Sequence, residues 1–194
     1  MDDRRNWRGL LMARPAEPGR TALLDAGTKL LAAEASPGWS RLSANAVVAE
    51  AKMSKGAFFH HFPTRRDFVL ELHARFHAEA WAAIVAAIDS MVPGAERIVA
   101  GIVAYLDFCL SRGDAKVFLF EARADCDLRV RVSEMNEHFA SFMEPDLRAA
   151  GWATPKETSH LAVAAIAEVA LIEKDQGCAS RRHRQALRAL LILR

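Results

Sequence analysis

Cysteine is scarce in this 194-residue chain: Cys109, Cys126 and Cys178 are far apart and odd in number. They make no disulfide framework and fit a reducing cytoplasm, where the protein is expected to reside. No stretch approaches twenty apolar residues without charge, so no membrane-spanning helix is expected. The opening residues MDDRRNWRGLLMARPAEPGR begin acidic and hold no continuous apolar run, unlike a secretory signal. There is no Gly-rich phosphate loop, no nucleophile elbow and no HExxH, so nothing supports an enzyme. A helical enzyme would need a convergent set of titrating groups, and none is visible. No cofactor and no metal are expected. β-branched residues are few, most Gly and Pro lie between periodic segments, and no internal repeat is visible.

What is present is helix-forming. Ala, Leu, Glu and Arg are abundant, apolar residues make up 52% of the chain and charged ones 26%, which describes a globular all-α protein. The length allows one large domain or two small ones with a proper core. Net charge is only +2, yet unevenly spread. Residues 1–78 hold 12 Lys plus Arg against 8 Asp plus Glu, and residues 79–194 hold 14 against 16. The amino-terminal part is therefore the one that attracts phosphate, and His60, His61 and His73 add to it when protonated.

Periodicity and breakers divide the chain into about nine helices. Residues 1–19 read as a flexible basic tail ending at Pro15, Pro18 and Gly19. A first helix runs from about Thr21 to Ala35 and stops at Ser36-Pro37-Gly38, after which Trp39 and Leu42 plug a small core. Residues 43–62 then read as two short helices joined by a tight turn. Ser43 caps the one and Ser54 the other, with Val47, Val48 and Ala51 facing Ala57, Phe58 and Phe62. Pro63-Thr64 break the chain and cap a long helix reaching about Met91. Five more helices follow at approximately 95–112, 114–124, 126–150, 155–175 and 180–193.

Two short helices at a steep angle form a helix-turn-helix, whose second helix can enter the DNA major groove. In that helix Lys55 lies in the first turn, positioned for a base edge or phosphate. Gly56 permits close approach to the DNA backbone, and Ala57 offers a methyl suited to a thymine. His60 and His61, one turn on, can donate to phosphates or a purine.

The run SKGAFFHHFPTRRDF resembles the signature of TetR-type (tetracycline-repressor-like) transcriptional regulators, and TALLDAGTKLLAAEASPGWSRLS is similar to that family's first helix and following loop. The likeness covers roughly residues 20–75. It implies a three-helix DNA-binding head at 20–66 on a helical effector-binding and dimerisation domain at 67–194. It also implies a ligand-responsive regulator, in the usual case a repressor, whose dimer reads a palindromic operator and is released by a small, largely apolar effector. The last two helices would pair with their twins, with segment 160–174 and Leu187, Leu190, Leu191 and Leu193 as the dimer surface. By the same resemblance Ser43 and Asn45 touch backbone or bases, Phe59 stands at a phosphate-holding aromatic position, and Thr64 and Arg65 form a phosphate-binding helix start. Arg41 and Arg66 are flank contacts. Large apolar side chains suggest pocket walls at Trp81, Phe108, Phe118, Phe120, Met135, Phe139, Phe142 and Met143, with Glu121 and Glu168 available to orient a polar group.

Three positions depart from the pattern. Lys52 replaces a turn Gly with positive φ: either the turn bends differently, or Lys52 accepts the strain and aims its ammonium at a phosphate. Ala57 replaces a hydroxyl-bearing residue, and Phe59 replaces Tyr. These changes make an alternative conceivable, a helical ligand-binding or signalling module with weakened or lost DNA binding. His73 and His77, at i and i+4, read as surface or packing residues rather than a metal clamp, since no third ligand stands nearby. Asp125-Cys126-Asp127 reads as a helix boundary.

Overall fold

The computed structural model describes residues 17–33, 38–115, 117–125 and 128–192. The first sixteen residues, Leu193, Cys126 and Asp127 lie outside this set, as do the side chains of Ser40 and Arg41. Among the described residues there is no strand. The helices are α1 (Pro18–Ala32), α2 (Gly38–Arg41), α3 (Ala44–Ala51), α4 (Lys55–His61), α5 (Arg65–Ile88), α6 (Ala95–Ser111), α7 (Ala122–Ala124), α8 (Arg129–Ala149), α9 (Pro155–Gln176) and α10 (Arg181–Ile192). No helix is long and apolar enough to cross a membrane.

Local chemistry sets the boundaries. Ser43 accepts from Ala46 N at 3.2 Å and Ser54 from Ala57 N at 3.1 Å, each satisfying a donor that its helix start leaves open. Thr64 and Asp67 form a reciprocal capping box, with Asp67 N donating to Thr64 Oγ1 at 3.1 Å and Thr64 N to Asp67 Oδ2 at 3.0 Å. At the end of α3, Lys52 N donates to Ala49 O and Met53 N to Val48 O, the paired bonds of a Schellman motif. That motif needs a left-handed residue, and Lys52 supplies it at φ 54, ψ 41. The turn therefore keeps its usual bend and Lys52 takes the strain. It is the one described non-glycine residue with positive φ.

Two segments depart from the sequence expectation. Residues 38–41, read as loop, form the short α2, which lays Trp39 into the core at 2% exposure. Segment 114–124, read as one helix, is instead a tight turn, a π-helical stretch Val117–Glu121 and the short α7. The apolar run VFLFE carries the same periodic signal in either winding, so composition could not separate them.

One connected apolar core runs from Leu23 in α1 to Leu191 in α10, taking in Trp39, Phe58, Phe62, Phe68 and Phe118. α1 packs on α3, on α4 and on the amino end of α5; α6 runs along α5, α8 and α9 pack on α6 and on each other, and α10 closes on α6 and α9. α1 lies so close to α5 that a Cβ at Gly27 would sit 2.7 Å from Phe68 Cζ. On the far side, Arg184 fastens α10: it grips the fully buried Glu173 carboxylate with two bonds of 2.7 Å and reaches Asp107 on α6 at 2.7 Å. That guanidinium, together with Ser180 N at 2.9 Å, outweighs the desolvation that would raise the Glu173 pKa and holds it below the usual carboxylate value.

Candidate nucleic-acid interface and cavity

The helix-turn-helix presents one edge outward. Phe58 and Phe62 are buried at 0% and 1%, which fixes the rotation of α4 and leaves Ser54, Lys55, Gly56, Phe59 and His60 exposed. A Cβ at Gly56 would meet only Ser54 Oγ, at 3.8 Å, so this surface is open. Ser43, Asn45, Lys52 and Thr64 are also exposed, and Ala57 is half-buried. Phe59 is 43% exposed with its ring edge-to-face on Phe58 at 5.3 Å, an apolar side chain held out toward solvent.

Two expected DNA contacts are engaged elsewhere. Arg65 Nε donates to Leu42 O at 2.7 Å and its Nη2 to Trp39 O, so its guanidinium closes the carbonyl end of α2. His61 turns toward α1: Nδ1 lies 3.1 Å from Glu17 Oε2, and its carbonyl accepts from Arg20 at 3.0 Å. A cation at a helix start suggests phosphate in sequence, whereas here a neighbouring set of open carbonyls is nearer. Arg41 has its backbone in α2 and its side chain outside the described set.

In the body, α5, α6, α8, α9 and the π turn enclose a cavity of about 830 Å³, its solvent-open mouth included. The walls are mostly apolar, among them Ile84, Ile102, Phe118, Phe139, Phe142 and Ile166. Of the residues expected to line it, Phe118, Phe139, Phe142 and Met143 do so, whereas Phe120 is exposed. Trp81 stands behind them, 4.4 Å edge-to-face from Phe142, and Phe108 packs on Phe76 at 5.3 Å. Met135 and Glu168 are not on the wall, and Glu168 faces solvent. Glu121 is directed to the head instead, accepting from Trp39 N at 3.3 Å, where a Cβ at Gly38 would run into its carboxylate.

Polar wall groups were the part that sequence reasoning missed. Arg97 spans to Asp146 through bonds of 2.7 and 2.8 Å, and Gly94 N donates to the same carboxylate at 2.8 Å. His77 lines the cavity, with Nε2 lying 3.2 Å from Nε2 of His73. Burial, helped by the Arg131 charge, lowers His73 to about 4, and burial, helped by the unfavourable cost of charging both rings of the pair, pushes His77 well below its ordinary value. The pair is therefore neutral at pH 7. Their i, i+4 spacing was visible in sequence, their burial was not. Tyr105 is another wall residue whose buried phenol is raised well above its normal pKa. Cys109, beneath it, is pushed up to about 12 by burial and is no reactive thiolate. Among the described residues no group of three or more metal-ligating side chains occurs.

Residues 23–72 match the sequence model of the bacterial regulatory proteins of the tetR family. No curated protein sequence matches the chain. Among solved structures, a TetR-like transcriptional regulator from Rhodococcus sp. RHA1 is similar at TM-score 0.76 and 16% identity, covering 92% of this chain and 96% of that one. A tetR-family transcriptional regulator from Streptomyces coelicolor gives 0.64 at 14% identity over 92% and 79%. The fatty acid degradation regulator FadR from Bacillus halodurans gives 0.73 at 12% identity over 93% and 97%. At such identities the likeness concerns the fold. The chain therefore has the N-terminal segment and the fold of a TetR-family transcriptional regulator.

Proposed function

We propose that the protein is a ligand-responsive repressor that binds a palindromic operator as a homodimer and is released by a small molecule held in the body cavity. One observation carries the reading. The aromatic anchors of α4 are fully buried while its amino-terminal edge, Ser54-Lys55-Gly56, faces solvent beside Lys52. A helix start with open space, a cation in its first turn and no competing intramolecular partner is the arrangement that enters a major groove.

In a two-fold dimer the two α4 helices would meet successive major grooves about 34–36 Å apart. Leu161 and Leu190, 73% and 65% exposed, mark the apolar surface available on α9 and α10 for pairing. Leu187 and Leu191, expected there from sequence, are buried inside the chain at 3% and 5%. α5 carries the coupling, since its capped start supports the head and its later turns supply His77, Ile84 and Ile88 to the cavity. A ligand that prefers one tilt of α5 lowers DNA affinity by that preference and no more.

A second reading, a ligand-binding module with weakened DNA contact, is favoured by the diversion of Arg65 and His61 into intramolecular bonds. Fluorescence anisotropy on DNA from upstream of its own gene, from low to moderate salt, separates the two. Dimeric protein should bind with a log–log salt slope of several phosphates. Folded dimer that leaves this DNA free at low salt would refute the repressor reading.

A further inference from the structure

The charges around the cavity are segregated. Inside, the Arg97 guanidinium is cancelled by Asp146, whose side chain is 4% exposed. Among the buried side-chain atoms of the wall, only Nδ1 of His77 lacks a hydrogen-bond partner, and that ring is neutral. The interior therefore accepts apolar matter and offers a charged group nothing to offset its desolvation.

The rim differs. Arg123 lines the cavity yet is exposed, so its guanidinium stands at the mouth, close enough to favour the ionised form of the Tyr105 phenol. A second groove adjoins between α8 and α9, sharing Arg123, Val132, Asn136 and Val163 with the cavity and adding Arg129. Among the described residues neither Arg123 nor Arg129 has an ion-pair partner. The groove's single carboxylate, Glu137, is already 3.4 Å from His160. Two guanidiniums without an ion pair among the described residues thus border a chamber whose own charges, Arg97 and Asp146, cancel each other.

Resting on the assignment of this cavity as the effector site, we propose that its ligand is an anionic amphiphile. Its apolar body lies among α5, α6, α8 and α9, and its carboxylate or phosphate rests on Arg123 and Arg129. Guanidinium forks suit either head, and a head left at the rim keeps part of its hydration.

The test compares dodecanoate, dodecanol and dodecyltrimethylammonium, each below its micelle concentration, by titration calorimetry on the full-length protein. Dodecanoate should bind at least about tenfold tighter than the other two. Arg123→Gln with Arg129→Gln, both exposed sites, should abolish that preference while leaving dodecanol affinity unchanged. Gly101→Leu, which projects into the cavity, should weaken both ligands. The proposal is overturned if the alcohol or the quaternary ammonium binds as tightly as the carboxylate. It is equally overturned if no ligand binds, or if the preference survives in the double Gln variant. DNA anisotropy on the same samples separates the two readings. Release of DNA by all three amphiphiles alike sinks the ligand class and spares the regulator. Selective, Arg-dependent dodecanoate binding that leaves DNA affinity unchanged spares the ligand class and sinks effector-driven release.

Discussion

Replacing Lys52 by Gly should strengthen the fold and weaken DNA binding at once. Lys52 holds φ 54, ψ 41, and its N–H and that of Met53 close the end of α3, so the turn cannot relax without losing two hydrogen bonds. Left-handed backbone costs a residue with a Cβ roughly 1–2 kcal/mol. Glycine removes that strain but loses roughly 0.5–1 kcal/mol through the greater freedom of its unfolded chain. The net gain is about 0.5–1 kcal/mol, which raises the melting temperature by about 2 °C for a chain of this size. On DNA the same change deletes an exposed ammonium beside the recognition helix. If it neutralises one phosphate, the log–log salt slope should fall by about 0.9 per head. Lys52→Gln separates the effects, since it keeps the strain and drops the charge: its slope should match that of Lys52→Gly, with an unchanged melting temperature. Calorimetry and anisotropy between 50 and 200 mM salt, a range on the order of that used for such slopes, measure both. A Gly variant that melts lower would refute the backbone argument, and slopes equal to wild type in both variants would refute the phosphate contact.

Other perturbations follow from the packing. Arg184→Met strands the buried Glu173 carboxylate and should cost about 3 kcal/mol in denaturant melts, part of it recovered when Glu173→Met is added. Gly27→Ala should cost about 1–3 kcal/mol, because its Cβ meets Phe68 and Leu72 at 2.7 and 2.8 Å. Gly101→Ala, whose Cβ meets nothing nearer than 3.6 Å, should instead stabilise by about 0.5–1 kcal/mol through helix propensity. His73 and His77 are neutral when folded and titrate near 6.5 when unfolded, so the unfolded chain takes up more protons as pH falls. Their contribution is level above that value and erodes as pH drops from 6.5 toward 4. For His73 alone the loss reaches about 3 kcal/mol, and a His73→Leu, His77→Leu variant should flatten the profile in urea melts at pH 7 and 4.5.

The parts of this protein that were legible in its sequence are those decided within a few residues. Ser43, Ser54 and Thr64 cap helices because a short side-chain oxygen three residues before an amide has little else to do. Phe58 and Phe62 fall on one face by spacing alone and are buried. Long-range competition was not legible. Arg65 follows a cap as a phosphate-binding cation would, yet the carbonyls of Trp39 and Leu42, 26 and 23 residues away, take it. Glu121 sits in an apolar run like a ligand-orienting carboxylate, and its partner is the amide of Trp39, 82 residues distant. Spacing identifies which residues share a helix face, but which distant backbone group lies opposite depends on the assembled packing.

That same Glu121 contact gives the proposed regulation a physical route. The π turn touches three regions together. Phe118 stacks on Phe76 of α5 at 4.3 Å and meets Trp39 edge-on at 5.0 Å. Phe118 and Leu119 form cavity wall, and Glu121 receives the head's Trp39 N–H. Just before it, Gly113 presses against α1 so tightly that a Cβ there would lie 2.9 Å from Ala32 O. A π winding is uncommon and persists where tertiary contacts hold it. A ligand that pushes Phe118 outward would therefore compete with the contacts that seat the head. A tenfold loss of DNA affinity requires a differential of about 1.4 kcal/mol. The Glu121–Trp39 bond is long at 3.3 Å and its carboxylate is exposed, so it supplies part of that differential and the Phe118 ring contacts with Trp39 and Phe76 supply the rest. The switch then needs no large rearrangement, only a ligand whose bound geometry is incompatible with those contacts taken together.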